Sequence, residues 1–144
     1  MRGRTQQYSI TFDALLIGHE AGVTSLSWSP SSATLLSTST DSSLILWAPS
    51  SIISTAYSSS TSSIWINIQR FGDVGGQRLG GFIGGLWGSN GTEAMAWGWS
   101  GGWRRWRRIT GGEEWEEIGA ISGHSGPVKS LAWSPKGEYL VSVG

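Results

Sequence analysis

Tryptophans recur along this chain at a fixed spacing, and that spacing constrains the fold more than any other feature. Trp28 and Trp47 lie 19 residues apart, Trp87 and Trp106 repeat the interval 59 residues later, and Trp133 begins a third copy. Ten of the 144 residues are tryptophan, so the repeat accounts for much of an unusual composition. Internal repeats of about 40–60 residues indicate stacked copies of one supersecondary unit.

Each copy is predicted to contain short antiparallel strands. Side chains alternate from Val23 to Ser29, and Gly, Pro, Asn and Ser cluster between such segments, as expected for half-buried strands joined by tight turns. No stretch has a helical period of useful length. Repeats with four short strands each are typical of β-propeller blades. We therefore predict an all-β chain that forms a partial propeller over residues 1–144, with four-stranded antiparallel blades at 18–68 and 80–121, an incomplete blade at 123–144, and a Ser-rich loop at 50–63.

The first copy carries a motif that begins with Gly18-His19 and ends at Trp47. This motif resembles the WD repeat, in which a His, a strand Ser or Thr, a turn Asp and a Trp form a hydrogen-bonded set inside each blade. The resemblance implies a WD-repeat β-propeller fragment, with about two blades and the start of a third. A Trp offers one indole donor, and an Asp can satisfy turn amides while fixing the tautomer of the His. The matching residues are His19, Ser39 with Ser37 as the alternative, Asp41 and Trp47.

The later copies lack parts of this set. Trp106 occupies the strand position of Trp47, but Ser100 stands where the Asp would align. The third copy has His124, and the sequence ends at Gly144 before an Asp or a Trp. Propellers close with about 4–8 blades, and an open ring leaves strand edges unpaired. We therefore expect this chain to be a fragment, a truncated gene model or one part of a larger propeller.

A more specific pattern follows the first blade. Ile64-Trp65 precedes the loop Arg-Phe-Gly-Asp-Val-Gly-Gly at 70–76, and Leu-Gly-Gly-Phe follows at 79–82. Ordinary WD repeats lack this loop, and its order and spacing resemble the first propeller of the Elongator complex protein 2 family over residues 12–144. The resemblance implies a non-catalytic scaffold that bridges the catalytic subunit and the large scaffold subunit of Elongator, a complex that modifies wobble uridines of tRNA.

The glycine-rich loop has two further interpretations. A phosphate cradle needs Gly-Lys-Ser/Thr or G-x-G-x-x-G ahead of a helix, and neither occurs here, so we do not expect nucleotide binding. The loop is then either a connector with close backbone approach or a partner-contact loop, because loops on rigid scaffolds often bind. The candidate partner-contact residues are Arg70, Gly72, Asp73, Gly75, Gly76 and Phe82.

A basic, aromatic stretch at 103–108 also has two interpretations. Its arginines beside tryptophans suit RNA phosphates and stacked bases; these candidates are Arg104, Arg105, Arg107 and Arg108. The stretch also fits a hairpin with the acidic segment 113–117, which would cancel the field that RNA needs. We favour the hairpin and do not expect RNA contact. The predicted cross-strand pairs are Arg108–Glu113, Arg107–Glu114, Trp106–Trp115, Arg105–Glu116 and Arg104–Glu117.

Composition argues against several functions. The chain has zero net charge and no Cys, so it lacks a long-range attraction to nucleic acid or anionic lipid and any thiolate site. His19 and His124 are its only histidines, without Asp, Glu or Cys at metal-ligand spacing. We expect no enzyme activity, catalytic residue, cofactor, metal site or membrane contact, and a cytoplasmic location, alone or together with a nuclear one. The alternative function is a WD-repeat scaffold of an unrelated complex.

Overall fold

The computed structural model describes residues 7–31, 33–50, 64–72 and 80–144. Within these ranges the secondary structure consists of β-strands, and no helix there is long and apolar enough to span a membrane. The strands are β1 (Val23–Trp28), β2 (Leu35–Ser39), β3 (Leu44–Pro49), β4 (Trp65–Phe71), β5 (Phe82–Trp87), β6 (Glu93–Gly98), β7 (Gly102–Arg108), β8 (Trp115–Ser122), β9 (Ser130–Trp133) and β10 (Leu140–Val143).

The strands form two four-stranded sheets and one pair. The sheet orders are β1-β2-β3-β4 and β5-β6-β7-β8, and β9 pairs with β10. Every neighbouring pair is antiparallel, because each strand turns back beside the one before it. The predicted all-β fold with four-stranded antiparallel blades is confirmed. β4 runs to Phe71, past the predicted blade end at 68, and the predicted Ser-rich loop, apart from Ser50, lies outside the described residues.

The first two blades pack face to face through β5, the innermost strand of the second blade. Leu36, Leu44 and Leu46 of the first blade are fully buried in this interface. Gly85 on β5 allows the close approach, because a Cβ at that position would lie 2.5 Å from the Thr38 side chain and 2.9 Å from that of Leu36. At this point of the interface, large side chains of the first blade therefore pack against a glycine of the second.

Tryptophans at the end of the innermost strands link each blade to the preceding one. Trp87 donates its indole N–H to the backbone carbonyl of Ser27 at 3.1 Å, and Trp133 donates to the carbonyl of Trp87 at 3.2 Å. Each bond satisfies a polar group while the indole ring supplies apolar contact area. The tryptophan repeat in the sequence therefore marks the stacking of consecutive blades.

An aromatic cluster fills the outer part of the interface between the first two blades. Phe71, at the end of β4, stacks on Trp106 with ring centroids 5.0 Å apart, and Trp115 meets Phe71 edge-on at 5.3 Å. Phe82 contacts Trp106 edge-on at 6.2 Å. Aromatic pairs of this kind contribute about 0.5–1.5 kcal/mol beyond the area they bury. The cluster makes the two blades one packed unit.

Candidate functional site

A chain of hydrogen-bonded side chains lies inside the first blade. Trp47 on β3 donates its indole N–H to the hydroxyl of Ser37 on β2 at 2.8 Å, and Ser37 Oγ lies 2.7 Å from Nε2 of His19. Since the Ser37 oxygen accepts from Trp47, its own proton is available for His19. The hydroxyl in the set is thus Ser37, the alternative, and not Ser39. The Ser39 hydroxyl accepts the backbone N–H of Asp41 at 3.1 Å instead.

Asp41 holds the other side of the imidazole. Its Oδ2 lies 3.1 Å from Nδ1 of His19 and accepts the backbone N–H of Glu20 at 2.9 Å. Its Oδ1 accepts the backbone N–H and the hydroxyl of Ser43 at 2.8 and 2.6 Å. Burial raises the pKa of Asp41, but the hydrogen bonds from Ser43, Glu20 and His19 outweigh burial and lower the pKa to about 2. The carboxylate therefore holds a proton on Nδ1 and turns Nε2 towards Ser37.

Arg70, on the outer strand β4, completes the set. Its Nη2 lies 3.4 Å from Asp41 Oδ2 and 3.3 Å from Ser43 Oγ, and its Nη1 donates to the carbonyl of Gly18 at 3.2 Å. The side chains of His19 and Asp41 are each only 5% exposed. No group of three or more potential metal ligands occurs in the described part of the chain. The arrangement ties the segment before β1, the β2–β3 turn and β4 together, with the side chains of His19 and Asp41 buried inside it.

The predicted partner-contact loop is described only in part. Arg70 points into the blade, and Phe82 is 8% exposed within the core. Gly72 packs so closely against the backbone of Ser42 that a Cβ there would clash with the Ser42 carbonyl. The described members therefore contribute to packing, and partner contact stays a prediction. Asp73, Gly75 and Gly76 lie outside the described residues.

The later blades carry different parts of the polar set. In the second blade Ala96 occupies the position of Ser37, because Ala94 pairs with Trp106 as Leu35 pairs with Trp47 in the first. Trp106 therefore finds no hydroxyl on β6 at that position and packs into the aromatic cluster. In the third blade Nε2 of His124 lies 2.9 Å from the hydroxyl of Ser142. That contact repeats the first His–Ser step of the first blade.

β7 and β8 form the predicted hairpin, but the predicted register was wrong. The backbone N–H of Ile109 donates to the carbonyl of Glu114 at 2.8 Å, so residues 110–113 make the turn, where 109–112 was expected. Gly111 takes a φ of 84° in this turn, a conformation that glycine adopts without strain. The pairing shifts by two positions, and a bulge adds one more. The observed pairs are Arg108–Trp115, Arg107–Glu116, Trp106–Glu117, Arg105–Gly119 and Arg104–Ala120.

Arg104 and Arg108 are both engaged within this hairpin. Arg104 binds Glu117 through two N–H groups, at 3.0 and 2.5 Å, although the two residues are not directly opposite. Its guanidinium also lies 5.2 Å from the centre of the Trp106 ring, a cation–π distance. Arg108 donates to the carbonyl of Gly112 at 3.0 Å.

Arg105 and Arg107 share one carboxylate on the neighbouring strand. Glu93 on β6 accepts from Arg105 at 2.6 and 2.8 Å and from Arg107 at 2.9 Å. The Glu93 side chain is 9% exposed, so its charge is buried and these two arginines compensate it. All four candidate RNA contacts therefore have partners within the chain, which argues against the RNA interpretation.

Sequence reasoning missed two members of these clusters. Ser43 follows Asp41 by two residues, the spacing at which an Asp side chain caps its own turn, so the local sequence contained a signal for it. Glu93 lies opposite Arg107 on the strand before the hairpin. The contact follows only from the pairing of β6 with β7, which brings Glu93 beside Arg107 although the two residues are 14 positions apart along the chain.

Comparison with known proteins extends the WD-repeat assignment. The model of the family "WD domain, G-beta repeat" matches residues 10–48 and 115–144. The chain is similar to Elongator complex protein 2 of Schizosaccharomyces pombe, with 39% identity over 94% of this chain and 17% of that protein. It is also similar to Elongator complex protein 2 of Danio rerio (31% identity, 96% of this chain, 17% of that protein) and of Homo sapiens (32%, 95% and 17%). The chain thus spans about 17% of the length of these curated relatives.

Proposed function

Because this chain belongs to the Elongator complex protein 2 family, as its repeats and its glycine-rich loop predicted, we propose that it is a non-catalytic scaffold element that holds other Elongator subunits by protein–protein contact. The observation that carries the proposal is the continuous similarity to that family across both described blades. The family name places the relatives in a complex, and a scaffold role in the same complex is the function we propose for this chain.

The geometry supports a scaffold better than a catalyst. The two histidines both take part in hydrogen bonds within blades, and the carboxylate with the lowered pKa is enclosed by its donors. The four arginines of β7 are engaged in ion pairs and hydrogen bonds. Rigid blades with short turns suit the display of fixed contact surfaces to partner proteins.

The proposal also names the partners, the process and the location of the scaffold. The partners are the catalytic subunit and the large scaffold subunit of Elongator, and the assembly serves the modification of wobble uridines in tRNA. The chemistry lies in the catalytic subunit, so this chain contributes binding energy and position only. The protein acts in the cytoplasm, alone or together with the nucleus.

Affinity purification of the tagged gene product from its own cells tests the assembly. We expect the other Elongator subunits to be recovered in near-equal amounts, and an untagged strain serves as the control. Recovery of an unrelated complex without Elongator subunits would refute the proposal and favour the alternative WD scaffold.

Nucleoside analysis of tRNA from cells lacking the gene product tests the proposed role in tRNA modification. Unchanged wobble-uridine modification would refute the tRNA role, even if assembly were normal.

A further inference from the structure

The turn between β5 and β6 carries the dipeptide Asn90-Gly91 at its tip. Asn90 is exposed and Gly91 is partly exposed. Gly91 takes a φ of 73°, a conformation that glycine adopts without strain. The structure describes residues 80–144 without a gap, so the whole turn and both strands that it joins are in view. The side-chain amide of Asn90 is therefore accessible to water.

An asparagine that precedes a glycine is the dipeptide most susceptible to deamidation, because glycine has no Cβ to obstruct attack by its backbone nitrogen. In this reaction the glycine nitrogen bonds to Cγ of the asparagine, and the side-chain NH2 leaves with the proton of that nitrogen as ammonia. The product is a cyclic succinimide. Water then opens the ring at either of its carbonyls, which gives aspartate or isoaspartate. The net change consumes water, releases ammonia and needs no oxidant, reductant or other reactant.

Hydrogen bonds within the turn polarise both reacting groups in the direction of this attack. The backbone N–H of Thr92 donates to Oδ1 of Asn90 at 3.0 Å. This oxygen gains negative charge when Cγ is attacked, so the donor stabilises the tetrahedral intermediate. The N–H of Gly91 donates to the carbonyl of Gly88 at 3.0 Å, which increases the electron density on the attacking nitrogen. Because this bond lies along the N–H, it leaves the face of the peptide plane open for the attack.

The other asparagine of the chain, Asn67, has the same exposure but neither of these features. It lies in the middle of β4, where it pairs with Trp47. The next residue is Ile68, whose branched side chain crowds the backbone nitrogen that would have to attack. Exposure therefore does not distinguish the two asparagines, whereas the following residue and the local backbone do.

The β5–β6 turn also lies between the corresponding turns of the neighbouring blades. A Cβ on Gly91 would lie 3.5 Å from Pro30 in the first blade. A Cβ on Gly137 in the third blade would lie 2.7 Å from that of Ser89. A change of the backbone at position 90 therefore acts beside both neighbouring blades.

Isoaspartate at position 90 lengthens the main chain, because the peptide bond then runs through the side-chain carbon atoms. The backbone N–H of Gly88 donates to the carbonyl of Glu93 at 2.7 Å and closes the turn. An added methylene between these two residues disturbs that closure, since the length of a hairpin loop selects its turn geometry. Aspartate keeps the original chain length and adds only a charge at an exposed position.

We propose that Asn90 is a modification site of the folded chain, where spontaneous deamidation yields aspartate and isoaspartate, and that the isoaspartate form weakens the β5–β6 turn. The modification goes beyond the scaffold function proposed above, because it depends on the chemistry of the turn and on no Elongator subunit. The class of enzyme that would recognise the product is an isoaspartyl methyltransferase, which methylates the carboxylate of an isoaspartate.

Incubation of the purified 144-residue chain in neutral buffer, followed by proteolysis and peptide mass analysis, tests the site. We expect the peptide with Asn90 to convert at least about tenfold faster than the peptide with Asn67, the control within the same sample. Equal rates for the two peptides would overturn the proposal. Conversion that occurs only when the chain is unfolded in urea would overturn it as well.

Methyl transfer from S-adenosylmethionine by an isoaspartyl methyltransferase detects the isoaspartate form directly. We expect the aged wild-type chain to accept the methyl group and the aged Asn90→Gln chain to accept none, because glutamine would have to form a larger ring. Equal methylation of the two chains would place the isoaspartate at another position and refute the assignment to Asn90.

Urea unfolding of the isoaspartate form, separated from the aged sample, tests the effect on the turn. The matched control is the Asn90→Asp chain, which has the same composition and charge but the original backbone. We expect the ratio of folded to unfolded molecules to be about 5–30 times lower for the isoaspartate form at the same urea concentration. Equal unfolding midpoints would refute the weakening of the turn.

Discussion

Replacing Asp41 with Asn removes the charge at the centre of the polar set while keeping its shape. The pKa of this carboxyl falls from 3.8 to about 2 in the folded chain. Since a tenfold change in proton affinity corresponds to about 1.4 kcal/mol, the ionised carboxylate contributes about 2 kcal/mol to folding. A lowered pKa means that this contribution is complete above pH 3.8 and is lost as the pH falls through about 2.

Urea unfolding followed by tryptophan fluorescence, repeated from pH 7 to pH 2, measures this contribution. We expect the Asp41→Asn chain to be less stable than the wild type by about 2 kcal/mol at pH 7, with the difference shrinking towards zero near pH 2. Glu116→Gln is the control, because Glu116 is exposed and such changes usually stay within about 0.5 kcal/mol. A difference that is absent at pH 7, or that stays constant down to pH 2, would refute the reasoning.

The same unfolding assay tests three further changes. Ser37→Ala leaves the ring nitrogens of His19 and Trp47 without their serine partner and should cost about 1–3 kcal/mol. Ser39→Ala removes one acceptor and should cost less. A larger effect of Ser39→Ala would contradict the hydrogen bonds assigned to Ser37. Glu93→Gln weakens the hydrogen bonds of two partly exposed arginines and should cost about 1–3 kcal/mol, whereas Glu116→Gln should be nearly neutral. Equal effects of the two changes would favour the register expected from the sequence. Gly85→Ala places a Cβ 2.5 Å from the Thr38 side chain on β2 and should lower the free energy of unfolding by about 1–3 kcal/mol through overpacking. Unchanged stability would mean that the first two blades separate easily.

The sequence alone could not decide whether Ser37 or Ser39 accepts the indole N–H of Trp47. Both lie on β2 two residues apart, so strand alternation places both hydroxyls on the same face. Only the reach of the Trp47 indole decides that Ser37 receives the hydrogen bond, and that reach depends on how β2 and β3 pair. His19, Asp41 and Trp47 could be named beforehand because their spacing along one repeat is characteristic of the WD motif.

The arginine hairpin shows a second limit. The basic stretch 103–108 and the acidic stretch 113–117 can pair in two registers that differ by two positions, since both registers keep the same side chains on each face. The turn decides between them, and the observed turn spans 110–113. The sequence did not identify Glu93 as the partner of Arg105 and Arg107, because Glu93 lies on β6, outside the β7–β8 hairpin.

The sequence by itself determined the repeat, the strands, the family and most of the first blade's polar set, because each follows from local spacing that folding preserves. The tertiary structure alone decided that Ser37 supplies the hydroxyl, that Arg70 points into the first blade and that Glu93 binds Arg105 and Arg107. These features arise between strands, where strand pairing and blade packing bring distant residues together.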